Sequence, residues 1–302
     1  MATTYVVPFQ GRVLWSKETA YGTGGGGTLK RYVSSTVNDA RLETTDRFIP
    51  YHDISKPSAF LMGSVPSDYT LHLEYVLDSV ITDKGIASLA SMCINRGAAA
   101  ATFGELSSVS IELVIGLGNT NYTQYNCYGC KCKSITFRGS KGQPVTVAAD
   151  FSVKGVSTSS TGVTTSPTGL TASPVMFNSA GVALTATGDD AAFITDSFEF
   201  TINNNLTDHW DCDSTVKQLC VAGALDITGS TDVSLELAGL TRWGRIDTAR
   251  YITSLAFTLG TGSYKTFTLN GVKYNNISLD ANTDGDIVMS SIPFTAKTIA
   301  IT

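Results

Sequence analysis

Residues 127–137, CYGCKCKSITF, can be laid over residues 269–279, LNGVKYNNISL, and this internal match constrains the fold more than anything else in the chain. Gly129 meets Gly271, Lys131 meets Lys273, Ile135 meets Ile277 and Phe137 meets Leu279. Both rows change parity at the same place. Cys130 and Cys132 share one phase of an alternating strand and Ile135 and Phe137 the other, as Val272 and Tyr274 do against Ile277 and Leu279. A bulge at Lys133–Ser134 and at Asn275–Asn276 produces such a shift. With one residue inserted the match resumes, PVTVAADFSVK (144–154) over IVMSSIPFTAK (287–297), with Phe151 on Phe294 and Lys154 on Lys297. The chain reads as one β-rich module used twice.

The module is β because period-2 alternation dominates. Tyr69, Leu71, Leu73, Tyr75 and Leu77 alternate with polar residues. So do Val109 to Ile115, Val145 to Val153, Phe198 to Ile202, Val233 to Leu237 and Leu255 to Leu259. Such runs predict half-buried antiparallel strands. One helix is expected in TDKGIASLASMCINRG, where Ile86, Leu89, Ala90, Cys93 and Ile94 form one stripe. Thr82 or Asp83 can cap its start and Gly97 its end. LAGLTRWGRI, Leu237 to Ile246, is a poorer helical candidate with two glycines. Residues 156–173 have a linker composition and the first 35 residues look irregular. The expected organisation is an arm (1–36), a β domain (37–155), a linker (156–173) and a second β domain (174–302).

Charge narrows the function. Only 16% of the 302 residues are charged, against roughly 25% in ordinary soluble domains. The net charge is −5, and tight phosphate binding needs clustered Lys and Arg instead. No run of 18 apolar residues predicts a membrane-spanning helix, and MATTYVVPFQGRVLWSKE lacks the basic and long apolar regions of a signal peptide. The Asn-x-Ser/Thr triplets at Asn121, Asn205 and Asn276 are read as chance.

The motifs that suggest chemistry each have a plainer reading. Cys127, Cys130 and Cys132 fall on the core positions Leu269, Val272 and Tyr274 of the repeat, so they are expected as buried small hydrophobes. A local disulfide and a metal site are the alternatives, and no fourth zinc ligand is evident. Gly22, Gly24 and Gly27 match a dinucleotide fingerprint, but the strand-like TLKRYVSST follows where a helix is needed. DANTDGD, Asp280 to Asp286, begins like a calcium loop but has Ser291 at the twelfth position, so a hairpin turn is expected. His209, Asp211, Cys212 and Asp213 are read as a loop, and His52 and His72 are isolated. No hydrolase signature occurs. We expect no enzyme, no catalytic residue, no metal and no cofactor.

SFEFTINNNLTDHW, from Ser197, resembles the strand and turn that open the core domain of major tail tube proteins of long-tailed phages and related archaeal viruses. FNSAGVALTATGDDAAFITD resembles their lead-in hairpin, and SYKTFTLNGVKYNNISLDANTDGDIVMSSIPFTA their closing strands. WSKETAYGTG is similar to their N-terminal segment, whereas VNDARLETTDRFIP lacks the Asn-Asn-Asn signature. The resemblance implies a mainly β fold of two tandem tail-tube-type β-sandwich domains, each with a flanking helix. It implies a structural virion protein of the tail, assembled in the host cytoplasm, whose rings stack into a hollow tube for DNA ejection. A duplicated chain would form homotrimeric rings with pseudo-sixfold symmetry, with open sheet edges closing the ring and the arm and linker tying rings together. The implied partners are other copies, a terminator, a baseplate or tip and a sheath. DNA passes without sequence-specific binding, and no membrane is involved. A baseplate or fibre component or adhesin is the alternative, and a small metalloprotein built on the cysteine cluster is a third reading.

Overall fold

The computed structural model describes residues 11–24, 30–34, 36–52, 59–78, 82–83, 86–87, 89–94, 105–116, 122–159, 174–177, 182–187, 195–210, 216–234, 252–259, 266–275 and 289–301. The first half of the chain runs through β1 (Arg12–Lys17), β2 (Arg31–Tyr32), β3 (Val37–His52) and β4 (Ala59–Val76). Then come β5 (Thr82–Asp83), β6 (Ile86–Ala87), α1 (Leu89–Ile94), β7 (Val109–Gly116), β8 (Tyr122–Ser140), β9 (Gln143–Pro144), β10 (Thr146–Val153) and β11 (Gly155–Ser159). The second half runs through β12 (Met176–Phe177), β13 (Val182–Thr187), β14 (Thr195–Asn203), β15 (Leu206–His209), β16 (Leu219–Ala222) and β17 (Asp226–Ser234). It closes with β18 (Ile252–Leu259), β19 (Thr266–Tyr274), β20 (Met289–Ala296) and β21 (Thr298–Ile301). The fold is mainly β, and its named pairings are antiparallel.

Eight strands follow one another in hydrogen-bonded order, β3-β4-β10-β8-β14-β17-β20-β19. Two strands change company part-way. β8 pairs with β7 and β11 through its first part, then with β10 and β14 through its second. β19 pairs with β18 and β21, then with β20. Gly129 and Gly271 lie on these two strands at φ of 64° and 61°, a left-handed backbone that residues with a Cβ avoid. A Cβ on Gly129 would also lie 2.5 Å from the Lys154 Cβ, and one on Gly271 would lie 2.9 Å from the Lys297 Cδ.

The pairings of the two halves correspond strand by strand. Trp15, Ile111, Cys127 and Val156 stand in register across β1, β7, β8 and β11, as Ala186, Leu255, Leu269 and Ile299 do across β13, β18, β19 and β21. Cys132, Phe151, Leu71 and Leu42 stand in register across β8, β10, β4 and β3. Tyr274, Phe294, Gly229 and Phe200 do so across β19, β20, β17 and β14. The β8–β10 register skips Lys133, so the bulge expected there is present; Asn275 is described but Asn276 lies outside the described residues.

The inward phases of these strands share one apolar cluster. It includes Leu71, Leu73, Ile135, Phe137, Val147, Phe151, Phe200, Phe267 and Phe294. Burying each such side chain stabilises the fold by about 1.5–3 kcal/mol.

Four expectations change. Among the described residues the helix is Leu89–Ile94, with Ile86 in β6 and Thr82 and Asp83 in β5 instead of at a cap; Gly97 lies outside the described residues. Its six residues are all buried, so it is a core plug and not an amphipathic surface helix. The initial segment is not irregular throughout, because Val13, Leu14 and Trp15 are buried in β1 against β7. Gly155–Ser159 continues as a strand on β8. β7 is also buried on both faces, with Glu112 held by Lys30, where half-burial was expected. The helical candidate at 237–246 lies outside the described residues.

Candidate assembly interface

The joint between the halves is β8 against β14. Ser134 to Ser140 run antiparallel to Asn203 to Ser197. On the inner face Phe137 stacks on Phe200, ring centroids 4.9 Å apart. On the outer face Arg138 holds Glu199, Nε to Oε2 at 3.0 Å, and the Thr136 and Thr201 hydroxyls lie 2.8 Å apart. The end of the joint is fixed by Asn204. Its backbone N–H donates to the Lys133 carbonyl, and its side-chain amide donates to the carbonyls of Cys132 and of Cys93 on α1. The Cys93 bond satisfies a carbonyl that a helix end leaves open. Asn205 follows at φ 46°, a conformation asparagine tolerates better than most residues, and the chain departs into the β15–β16 hairpin.

That hairpin region lies over the first half and is held by two buried lysines. Lys217 donates to Asp68 at 3.1 Å and to the Ser152 hydroxyl, and pairs with Asp208 at 2.8 Å. Lys131 reaches the Cys220 carbonyl at 2.6 Å and Glu105 at 2.7 Å. A buried ammonium persists only when its hydrogens are taken up in this way. Beside them Glu18, itself buried, accepts from the N–H groups of Gly22 and Gly129. Lys131 and Lys154 lie over the Tyr21 ring at 5.0 and 5.1 Å.

Among the described residues the common sheet has two ends. β3 closes one, paired to β4 along its inner side. The other is the second part of β19, whose first part has turned away to β18 and β21. By register β3 corresponds to β14, so Ala40, Leu42 and Thr44 hold the places of the buried Phe198, Phe200 and Ile202. Ala40 and Thr44 are exposed and Leu42 is half-buried. The outward face of the sheet is acidic among the described residues. Asp39, Glu43, Asp68, Glu74, Asp150, Glu199, Asp226 and Asp232 stand there against Arg41, Arg138, Lys273 and the buried Lys131. His72 sits among them, its Nδ1 2.6 Å from Asp150.

A family profile described as phage tail tube protein matches residues 8–296. The chain belongs to the phage tail tube protein family. A comparison with curated proteins gives no match. Membership makes it a structural protein of the virion tail that self-assembles with other tail components.

In this tail tube protein the cysteines stand where the repeat places them. Cys127, Cys130 and Cys132 are free thiols, fully buried in the core. Burial pushes the Cys127 thiol up to about 12 and holds Cys130 and Cys132 well above the usual thiol range. Such thiols are poor nucleophiles and poor metal ligands. Gly22 and Gly24 lie in a turn after β1, Gly22 packed near Lys154, and Gly27 lies outside the described residues. His209 ends β15; Asp211 to Asp213 and Asp280 to Asp286 lie outside the described residues. Among the described residues no group of three or more potential ligands could hold a metal. Asn204 is the middle of the Asn-Asn-Asn run that carries the resemblance and Lys131 is matched to Lys273 in the repeat, but neither their bonds nor the Lys217 clamp is read from sequence. A signal for Lys131 was present, a cation between two core cysteines on the opposite strand phase.

Proposed function

We propose that this tail tube protein polymerises into stacked rings forming a hollow conduit for viral DNA, with three chains per ring and pseudo-sixfold symmetry. The carrying observation is the β8–β14 joint. Each half contributes four strands in the same order, β3-β4-β10-β8 and β14-β17-β20-β19, and the last strand of the first receives the first strand of the second. A further chain placing its β3 on the exposed end of β19 repeats that joint. Copies then add head to tail, and a rotation that closes gives a ring. Eight strands from each of three chains make 24. That exceeds the roughly 16–18 strands that already enclose an aqueous channel.

In this reading the acidic outward face lines the channel. Like charge keeps phosphates from settling on the wall, so DNA slides. The test is electron microscopy of the purified chain at rising concentration. Hollow tubes of stacked rings are expected, and filaments without a channel would refute the conduit.

A further inference from the structure

The β15–β16 hairpin has a counterpart in the first half, and one constant shift along the chain finds it. In the hairpin Leu206 pairs with Ala222, Thr207 with Val221, Asp208 with Cys220 and His209 with Leu219. At the far end of β3 and β4, Phe48 pairs with Ser64, Ile49 with Gly63, Pro50 with Met62 and Tyr51 with Leu61. Every residue of the second set stands 158 places before its match in the first, as Phe48 does before Leu206 and Ser64 before Ala222. The break at Asn204–Asn205 falls where β3 shifts register between Thr45 and Arg47. The far end of β3–β4 is thus the first half's version of the β15–β16 hairpin.

The place that β15–β16 covers is also repeated. Lys131 stands opposite Ser152 as Lys273 stands opposite Thr295. Asp68 stands opposite Thr45 as Asp226 stands opposite Asn203. The burial is not repeated. The Lys131 side chain is 2% exposed and donates to the Cys220 carbonyl of the hairpin above it, whereas Lys273 is exposed.

We propose that the far end of β3–β4 of the next chain covers Lys273, and that Lys273 donates to its Met62 backbone carbonyl as Lys131 donates to that of Cys220. The inference rests on the ring reading above, and its partner is a second copy of this chain. A main-chain carbonyl is present whatever the side chain, so Met62 can stand in for Cys220. An ammonium loses water at acceptable cost only where such an acceptor replaces it. The second clamp is not reproduced, because Lys217 matches Ala59 and Asp208 matches Pro50. One lysine bond would hold this hairpin between chains where two lysines hold β15–β16 within the chain.

The experiment acetylates dispersed chains and assembled tubes and reads each lysine by mass spectrometry. Lys131 should resist in both states. Lys273 should react in the dispersed chain and lose most of its reactivity in the tube. Lys273→Met should melt like wild type and raise the concentration needed for tubes roughly tenfold. A variant carrying both Lys273→Cys and Met62→Cys should be joined by a short bismaleimide into covalent pairs and triplets in tubes and not when dispersed, and neither single variant should be. Tubes whose Lys273 reacts as it does in the dispersed chain, or whose double variant gives no cross-link, overturn the hairpin contact while leaving the ring reading intact. A wild-type chain that forms no ring or tube at any concentration overturns the ring reading, and the contact with it.

Discussion

β14 and β3 hold equivalent places in their halves yet are built from different residues. β14 sends Phe198, Phe200 and Ile202 inward, all buried within the chain. β3 sends Ala40, Leu42 and Thr44 to the matching places, two of them exposed. The difference teaches when each strand is covered. β14 meets β8 during folding of its own chain, so large apolar side chains never face water for long. Among the described residues β3 pairs with β4 alone, and a long apolar edge would invite uncontrolled pairing. In the proposed ring, small side chains and the run Asp39, Arg41 and Glu43 would keep this edge in solution until a neighbouring chain covers it.

The largest effect should come from cutting into β14. Phe200→Ala removes the ring stacked on Phe137, and urea unfolding should show a loss of about 3–5 kcal/mol. Leu42→Ala, the matching change on β3, should cost under about 1 kcal/mol in the monomer and yet weaken assembly. Equal losses for the two variants would break the comparison.

Next in size is the clamp over the joint. Lys217→Met removes the cation shared by Asp68 and Asp208, whose side chains are 28% and 20% exposed. Because the carboxylates can recover some water, the expected cost is about 2–3 kcal/mol, below that of a wholly buried pair. Proteolysis should then cut first in the hairpin region 206–222. Asn204→Ala removes the amide donor to the Cys93 and Cys132 carbonyls and should cost about 1–2 kcal/mol by the same unfolding measurement.

The smallest effect at neutral pH concerns the thiols. Burial pushes Cys127 up to about 12, and burial with the Asp208 hydrogen bond does the same for Cys220. The folded chain holds these protons more tightly than the unfolded chain, whose thiols ionise near 9. Their contribution is therefore complete below about pH 9 and is lost as pH climbs towards 12. Native protein at pH 8 should resist iodoacetamide while urea-unfolded protein is labelled. Fast labelling of the native chain would contradict the burial.

The sequence carried the strands and the core, because alternation is a local signal. It also carried the bulge at Lys133 and the burial of the cysteines, because the repeat supplied a second copy against which each position could be compared. It did not carry the start of α1. Leu89, Ala90, Cys93 and Ile94 make a helical stripe, but Ile86 is drawn into a ladder with Asp83. Nor did it carry β1, where the glycines after Tyr21 obscured Val13 to Trp15, whose partner β7 lies nearly a hundred residues away. The clamp at Lys217 was invisible for the same reason, since its partners Asp68 and Ser152 are distant in the chain.

The central claim is that the joint within the chain is repeated between chains. Cryo-electron microscopy of the assembled tube tests it most directly. The account predicts rings of three chains, alternating first and second halves, with β3 of each chain hydrogen-bonded to the β19 end of its neighbour. Rings of six whole chains, or three chains meeting through any other edge, would contradict it.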